Sequence, residues 1–385
     1  MTLAEIRHDL HAHPQVRFEE VFASELVQRE LTALGIEFKA GLARGTGVLG
    51  YLPATTDPAT APTIALRADM DALPIHEDTG LPYASTIPNR MHACGHDGHT
   101  TILIGAAREL AAKTHRPNNI LFVFQPAEEG GGGGNLMVQD GCLNGSVLGK
   151  RADFMFGLHG WSTVKLGHVA TRVGSLMAST DDMMVEFHGQ GGHAAAPDTT
   201  KDPVVAIAHL VTALQSIVAR NVDPFANGVV TVGQVHGGTT HNIIPMSAWL
   251  QGTIRAMNDE VRDRLCERVR TIAQGIADAF EMKAEIKVER GYPVVVNDGK
   301  AVERFLRVAR NELGDEFVSD DAKPTMGGED FAYYGAECPS CFYQLGLIPE
   351  GRDDYASVHT PYFDFNDDAI AVGVKLMTGL ALSTE

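Results

Sequence analysis

Hydrophobic and polar positions in the first part of the chain follow two different periods. Val21, Leu26 and Leu31 recur at helical spacing and Gly35 follows them, which predicts a helix that ends at this glycine. Short, continuous apolar runs then predict buried strands at 63–66, 120–124 and 154–158, with a helix at about 100–113 between the first two. Strands that alternate with helices favour an α/β fold with a mostly parallel sheet flanked by helices.

The middle of the chain has the pattern of a different domain. Strands are predicted at 182–188, 229–235, 248–254 and 284–288, and helices at 203–220 and 260–280. The order β-α-β-β-α-β is that of a ferredoxin-like α+β arrangement. It predicts a domain at 178–291 inserted into a discontinuous domain made of 1–177 and 292–385, which ends in a helix near 367–382.

Composition and charge limit what the protein binds. Hydrophobic residues make up 44% and charged residues 21% of the 385 positions, which is enough apolar material for packed domains. The formal net charge of −18 repels phosphate backbones and anionic lipids, so we expect neither a nucleic-acid nor a membrane partner. Five thinly spread cysteines, no apolar signal core and no run of ~20 apolar residues predict a soluble, cytoplasmic protein.

Side chains that bind metals are concentrated in five segments, most of which follow a predicted strand or lie in a loop. They are LRADMDALP with Asp69 and Asp71, MHACGHDGH with Cys94 and His96, VFQPAEEGGGGG with Glu128 and Glu129, FMFGLHG with His159, and SVHTPYFDFND with His359. Sites in open α/β sheets form beyond the carboxyl ends of the strands. Thiolate, imidazole and carboxylate together suit zinc or another first-row metal.

Each of these residues alone has an ordinary structural explanation. A lone cysteine such as Cys94 is usually a small buried hydrophobe, and a lone histidine such as His159 is usually a satisfied structural residue. Adjacent glutamates usually begin a solvated helix. Their coincidence favours a metal site, and the pair Glu128 and Glu129 suits one, because one carboxylate can bind a metal while its neighbour takes a proton from water.

Ten motifs in order, over nearly the whole chain, resemble those of the hippurate hydrolase and N-acyl-amino-acid amidohydrolase family, relatives of the zinc aminoacylases and carboxypeptidase G. They are DLHAHP, LRADMDALPI, MHACGHDGHT, QPAEEGGGG, GLHGW, GGHAAAP, HNIIP, GTIRA, MGGEDF and VHTPYFDFND. The resemblance implies a two-domain metallopeptidase fold with two divalent metal ions per subunit, zinc before manganese, cobalt or nickel. It also implies that the smaller domain is a lid and forms a homodimer, although a tetramer stays open.

The resemblance also implies individual roles in the larger domain. Glu128 corresponds to the general base of the family, and Asp71 corresponds to an aspartate that supports the metal ligands. The metal ligands implied by motif position are Cys94, His96, Glu129, His159 and His359.

Three residues of the smaller domain correspond to residues that contact the substrate in the family. His193 corresponds to a histidine that reaches a neighbouring subunit's site and stabilises the developing oxyanion. Asn242 and Arg255 correspond to residues that hold the substrate's carbonyl or carboxylate, and a guanidinium suits a carboxylate because it binds in bidentate fashion. Without the resemblance, His193 is an ordinary loop histidine and Asn242 an ordinary turn residue.

Some positions depart from the family pattern or have no assigned role. The dipeptide Pro197-Asp198 stands where family members commonly carry His after the Pro, and His241 stands where a residue that does not ionise is more usual. Both departures concern substrate preference rather than the chemistry. Cys338 and Cys341 form a C-x-x-C pair outside a thioredoxin-like context, and we interpret them as structural thiols.

These observations predict a metal-dependent amidohydrolase that cleaves N-acyl-amino acids, hippurate-like or N-acetylated, to a carboxylic acid and a free amino acid. A hydroxide held by the metals would attack the amide, with Glu128 as general base. A metallo-exopeptidase with the same centre, acting on dipeptides, is the nearest alternative. A hydrolase with Cys94 as its nucleophile and a non-catalytic metal-binding protein are more distant ones. The acyl group, the amino-acid side chain and the native metal stay open.

Overall fold

The protein is described from a computed structural model over residues 1–384, in which we number eight helices and sixteen strands. The helices are α1 (Leu3–Ala12), α2 (Val21–Ala33), α3 (His96–Ala112), α4 (Gly133–Gln139), α5 (Pro203–Asn221), α6 (Asp259–Ala279), α7 (Gly299–Leu313) and α8 (Asp368–Leu382). The strands are β1 (Glu37–Leu42), β2 (Gly47–Leu52), β3 (Thr63–Asp69), β4 (Asn119–Gln125), β5 (Phe154–Lys165), β6 (Val169–Ala170), β7 (Gly174–Met177), β8 (Ser179–His188), β9 (Gly192–His193), β10 (Gly228–Gly237), β11 (Ile243–Ile244), β12 (Ser247–Ala256), β13 (Lys283–Arg290), β14 (Val295–Asn297), β15 (Val318–Ser319) and β16 (Ser340–Ile348).

The chain folds into two compact units. The second unit consists of Met177–Val294 and Pro324–Glu329, and the first contains the other described residues. The predicted insertion at 178–291 lies within the second unit, which also takes in 177, 292–294 and, from farther along the predicted larger domain, 324–329. The physical reason is a pair of backbone hydrogen bonds, in which the Ala178 N–H lies 3.1 Å from the Thr325 carbonyl oxygen and 2.9 Å from that of Gly327. Pairing between residues so far apart in the chain leaves no local signal in the sequence.

An eight-stranded sheet forms the first unit, in the order β1-β2-β4-β3-β5-β16-β6-β15. The central pairs β4–β3, β3–β5 and β5–β16 are parallel, whereas β1 and β2 are antiparallel additions at one edge. Every residue of β3 and β4 is buried, as expected for strands covered on both faces. The predicted α/β class with a mostly parallel sheet is therefore confirmed.

The register of the parallel strands brings several of the polar segments to one level. Asp69 at the end of β3 pairs with Gln125 at the end of β4. Arg67 pairs with Gly157 in β5, so His159 lies level with Asp69. The carboxyl edge of the sheet thus collects residues that are distant in sequence.

Helix α3 begins earlier than its hydrophobic pattern predicts. The pattern places its start near residue 100, whereas the helix begins at His96, directly after Gly95 with φ +91°. Its first four residues are polar or glycine but fully buried, because they face the carboxyl edge of the sheet rather than solvent. Gly98 permits this packing, since a Cβ there would lie 2.4 Å from ring atoms of Phe365.

The second unit contains a four-stranded antiparallel sheet in the order β10-β12-β8-β13, packed against α5 and α6. This is the strand order of a ferredoxin-like arrangement, so that prediction is confirmed. Asp202 and Asn258 cap the two helices through their side-chain oxygens.

By length and apolarity alone, α5 is the one helix within residues 1–384 that could cross a membrane. A single helix of this kind is weak evidence, because core helices of globular domains pass the same test. The buried residues Ile207, Leu210 and Leu214 of α5 pack in the core of the second unit against the sheet, which accounts for its composition.

Candidate metal centre

Five potential ligands lie together in the first unit. Cys94 Sγ lies 3.2 Å from His159 Nε2, and His359 Nε2 lies 3.0 Å from Glu129 Oε1. The donor atoms form two groups, Cys94 with His96 and His159, and Cys94 with Glu129 and His359, and within each group they lie within 4.8 Å of one another. Cys94 is common to both groups.

His159 is held in the form that binds metals. Its Nδ1 lies 2.7 Å from the carbonyl oxygen of Gly160, which only an N–H can satisfy. Nε2 therefore carries the lone pair and points towards Cys94. Burial, and then neighbouring His99, hold the pKa of His159 well below its usual value, so the ring stays neutral.

His96 presents an unsatisfied nitrogen to the centre. Its Nδ1 lies 3.2 Å from Asp71 Oδ1, while Nε2 is buried without a hydrogen-bond partner. Burial opposes a charge on this ring, but the carboxylates of Asp69 and Asp71 outweigh burial and raise the pKa of His96 to about 10. An orphaned nitrogen surrounded by carboxylates is an environment that a cation would stabilise.

The Cys94 thiol is poorly placed to be a free nucleophile. Burial, and then the Glu129 and Glu128 carboxylates, raise its pKa well above the usual value. The side chain is also nearly inaccessible, with 6% of the residue exposed. Low-pKa, accessible cysteines are the reactive ones, so this environment favours a ligand role over attack on a substrate.

His359 is presented by a strained backbone. Its φ is +63°, which is uncommon for a residue other than glycine. The His359 N–H donates to the Ala93 carbonyl oxygen at 2.7 Å, next to Cys94 in the chain. Non-glycine residues in this conformation are concentrated at functional sites, where the surroundings maintain them.

The turn after β4 carries Glu128 and Glu129. The Asp71 carboxylate accepts the Glu128 N–H at 3.0 Å and the Glu129 N–H at 2.9 Å, so one residue holds both this turn and His96. Glu128 is 7% exposed, and its Oε1 accepts the Asp330 N–H at 3.3 Å. The Glu128 carboxylate is thus fixed beside the ligands without belonging to the two groups that share Cys94.

Glycine is required where this turn enters α4. A Cβ on Gly133 would lie 1.7 Å from the carbonyl oxygen of Pro126, which no packing adjustment can accommodate. This close approach of backbone explains the glycine at position 133.

Sequence reasoning missed residues whose hydrogen bonds and ion pairs stabilise the segments around the candidate centre. Asp330 accepts the Gly134 N–H at 2.7 Å and pairs with Arg67 at 3.0 Å. Asp69, which the sequence presents only as a possible ligand, lies 2.7 Å from both His99 and Arg67, and its Oδ2 lies 3.6 Å from His96 Nε2. The motif MGGEDF contains Asp330, but nothing in the sequence indicates that this carboxylate contacts Arg67 and Gly134.

His193 and Asn242 are adjacent in the second unit. His193 in β9 pairs with Ile243 in β11, and the Ala194 N–H donates to the Asn242 carbonyl oxygen at 3.1 Å. His193 Nδ1 accepts the Ala195 N–H at 3.1 Å, so in the neutral ring Nε2 carries the proton. Both residues are exposed, and His193 offers an N–H donor to solvent or to a ligand.

Arg255 lies on the central strand β12 of the second unit. Its Nε donates to Thr253 Oγ1 at 3.1 Å, which fixes the direction of the guanidinium. A Cβ on Gly328 would lie 2.1 Å from Thr180 Cγ2 and 3.3 Å from Arg255 Nη1. Gly328, the second glycine of the MGGEDF motif, therefore lets the backbone of 327–329 pack beside this arginine.

A sequence profile of Peptidase family M20/M25/M40 matches residues 65–383. IAA-amino acid hydrolase ILR1-like 2 of Arabidopsis thaliana is 38% identical, covering 99% of this chain and 84% of that protein. N-acetyl-L-cysteine deacetylase of Bacillus subtilis (strain 168) is also 38% identical, covering 95% of this chain and 84% of that protein. Among solved structures, the Bacillus subtilis YXEP protein, described as a dinuclear metal-binding peptidase, superposes with a TM-score of 0.84 at 32% identity, covering 99% of this chain and 96% of that one.

Proposed function

The chain belongs to peptidase family M20/M25/M40, and we propose that it is a metal-dependent amidohydrolase that cleaves N-acyl-amino acids into a carboxylic acid and a free amino acid. One observation carries the proposal: Glu128 is fixed beside a converging set of thiol, imidazole and carboxylate donors. Two relatives that span almost the whole chain have names that denote hydrolysis of amide bonds to amino acids.

We propose that Cys94, His96, Glu129, His159 and His359 hold two divalent ions. The mixed sulfur, nitrogen and oxygen donors and the orphaned Nε2 of His96 fit such ions. Zinc suits this donor set best, and manganese, cobalt or nickel are alternatives. When bound, the ions supply Lewis acidity, which polarises a carbonyl and acidifies water.

Glu128 has the role of general base in this proposal. Its carboxylate takes the proton of the attacking water and passes it to the nitrogen of the leaving amino acid. Asp71 and Asp330 serve this step by fixing the backbone and the carboxylate of Glu128. A fixed base needs little reorganisation at the moment of reaction.

Residues of the second unit have the binding roles. Arg255 pairs with the free carboxylate of the substrate, and Asn242 donates its side-chain amide to the same end, since its Oδ1 accepts the Thr240 hydroxyl at 3.0 Å. The Nε2–H of His193 donates to the oxyanion of the tetrahedral intermediate, in the site of a partner subunit.

We also propose a homodimer formed by the second unit. Strand β10 lies at the edge of its sheet, its last five residues are exposed, and Val235 among them is 51% exposed. An open strand edge of this kind, with an exposed valine on it, is normally covered. Sedimentation velocity should show a dimer that Val235→Lys weakens, whereas a monomeric wild-type chain at micromolar concentration would contradict this assembly.

Hydrolysis of a substrate panel tests the proposed activity. The panel comprises hippurate, N-acetyl-amino acids and dipeptides, assayed before chelation, after chelation and after return of zinc or manganese. We expect activity on the N-acyl compounds that is lost with chelator and restored by metal. Dipeptides hydrolysed in preference would favour a metallo-exopeptidase, and activity that survives complete metal removal would contradict the assigned centre.

Methyl esters of the same N-acyl-amino acids test the carboxylate clamp within that panel. Loss of the carboxylate removes the partner of Arg255, so KM should rise far more for wild type than for Arg255→Ala. Equal KM for acid and ester in the wild-type chain would overturn the role of Arg255.

We further propose that the protein resides in the cytoplasm. All five cysteines are free and buried thiols, which favours the reducing cytoplasm. Fractionation of cells that produce the chain would place it there or elsewhere.

A further inference from the structure

Glu20 is a fully buried carboxylate at the start of α2 to which the proposed mechanism gives no part. Its Oε1 accepts the Ala127 N–H at 3.0 Å and the Phe18 N–H at 2.8 Å. Its Oε2 accepts the Thr46 hydroxyl at 2.8 Å. Glu20 therefore joins three segments, and one of them leads directly into Glu128.

Both N–H groups that donate hydrogen bonds to Glu20 belong to residues with unusual backbone conformations. Ala127 has φ +54° and Phe18 has φ +64°. A residue other than glycine holds such a conformation only where its surroundings impose it. The hydrogen bond from Ala127 to Glu20 is thus a restraint on the turn, applied one residue before Glu128.

The restraint complements that of Asp71. Asp71 accepts the N–H groups of Glu128 and Glu129, and Glu20 accepts the N–H of the residue before them. Two buried carboxylates thereby hold three successive amides. Glu20 and Asp71 thus restrain the turn on both sides of the peptide bond that leads into Glu128.

We propose that Glu20 is a positioning residue for the general base: it holds Ala127 in a left-handed conformation and so directs the Glu128 carboxylate. This inference rests on the proposed role of Glu128. Glu20 acts through the backbone and touches neither substrate nor metal ligand.

The protonation state of Glu20 leaves this function intact. Burial, and then the nearby Asp71 carboxylate, raise the pKa of Glu20 to about 7. Whether ionised or protonated on Oε2, the side chain still presents Oε1 as an acceptor to both amides. A glutamine in its place preserves that acceptor, whereas a methionine of similar length removes it.

The test compares Glu20→Met with Glu20→Gln, using Glu25→Met on the exposed side of the same helix as control. In metal-saturated enzyme, Glu20→Met should lower kcat by up to about 100-fold, because a displaced base is poorly aligned with the water, while KM and bound metal stay near wild type. Glu20→Gln should keep most of kcat, because Oε1 is retained. Loss of kcat in the glutamine variant as large as in the methionine variant would overturn the role.

A second substitution separates positioning from general stability. Glycine adopts positive φ without restraint, so adding Ala127→Gly to Glu20→Met should recover part of kcat relative to Glu20→Met alone. Glycine at a positive φ can also raise stability by itself, so the melting temperature is followed in parallel. Recovery of the melting temperature without recovery of kcat in the folded double variant would contradict the inference. An inactive wild-type chain would refute the proposed function, whereas an active wild type with a fully active Glu20→Met variant would refute only this inference.

Discussion

Replacing Glu128 by glutamine should remove nearly all turnover while the two proposed metal ions stay bound. A glutamine has the size of glutamate but cannot take a proton from water, so it removes the base and preserves the turn. Its Oε1 can still accept the Asp330 N–H, as that of Glu128 does at 3.3 Å. The loss of kcat should be roughly 10³-fold, within the range for general acid–base catalysis.

The measurement is kcat on the best substrate of the panel, with bound metal counted by elemental analysis of the same sample. Glu109→Gln, an exposed glutamate on α3, is the matched control and should leave both quantities unchanged. A Glu128→Gln enzyme with normal kcat would eliminate Glu128 as the base. A variant that loses its metal would instead make Glu128 a ligand, a possibility that arises because its carboxylate also forms a group with His96 and Glu129.

Local patterns predicted the elements of the fold well. The runs at 63–66, 120–124 and 154–158 lie within β3, β4 and β5, because fully buried strands are continuously apolar. The start of α3 was wrong by four residues, since His96 and its neighbours are buried polar groups whose partners lie on other segments. Periodicity reports burial of apolar residues and cannot detect burial of polar ones.

The family was predicted correctly from the ten motifs, and the match over 65–383 confirms it. The individual site residues came from motif position and stay predictions until a metal and a substrate are measured. The structure adds that five of them converge and that Asp71 holds two segments of the centre at once. Convergence of this kind follows from strand register, which no single segment of the sequence encodes.

The supporting residues could not be predicted from sequence for a related reason. Glu20 and its partner Ala127 are separated by 107 positions, and Asp330 and Gly134 by 196. Glu20 and Asp330 are acidic residues that stand at the start of a helix and of a 3₁₀ helix, where a solvated carboxylate is the ordinary expectation. Only the packed structure distinguishes a buried restraint from a surface charge.

Replacing Cys94 by alanine should have the second large effect, on metal content as well as on rate. Cys94 belongs to both donor groups, so its loss removes a ligand from each proposed ion. Loss of an outer partner of a metal ligand costs about 10- to 100-fold in affinity, and loss of a shared ligand should cost more. Metal content after dialysis should fall, with kcat falling in proportion to it.

Cys341→Ala is the matched control, because Cys341 is also a free, buried thiol but lies in β16 without contact to the ligands. Its metal content should equal that of wild type. The result for Cys94→Ala also distinguishes a metal ligand from a nucleophile. If Cys94 were the nucleophile, the alanine variant would lose activity but keep its metals, and alkylating reagents would inactivate the wild-type enzyme. Burial and adjacent carboxylates raise the pKa of Cys94, so we expect slow alkylation of the metal-free chain and protection when metal is bound.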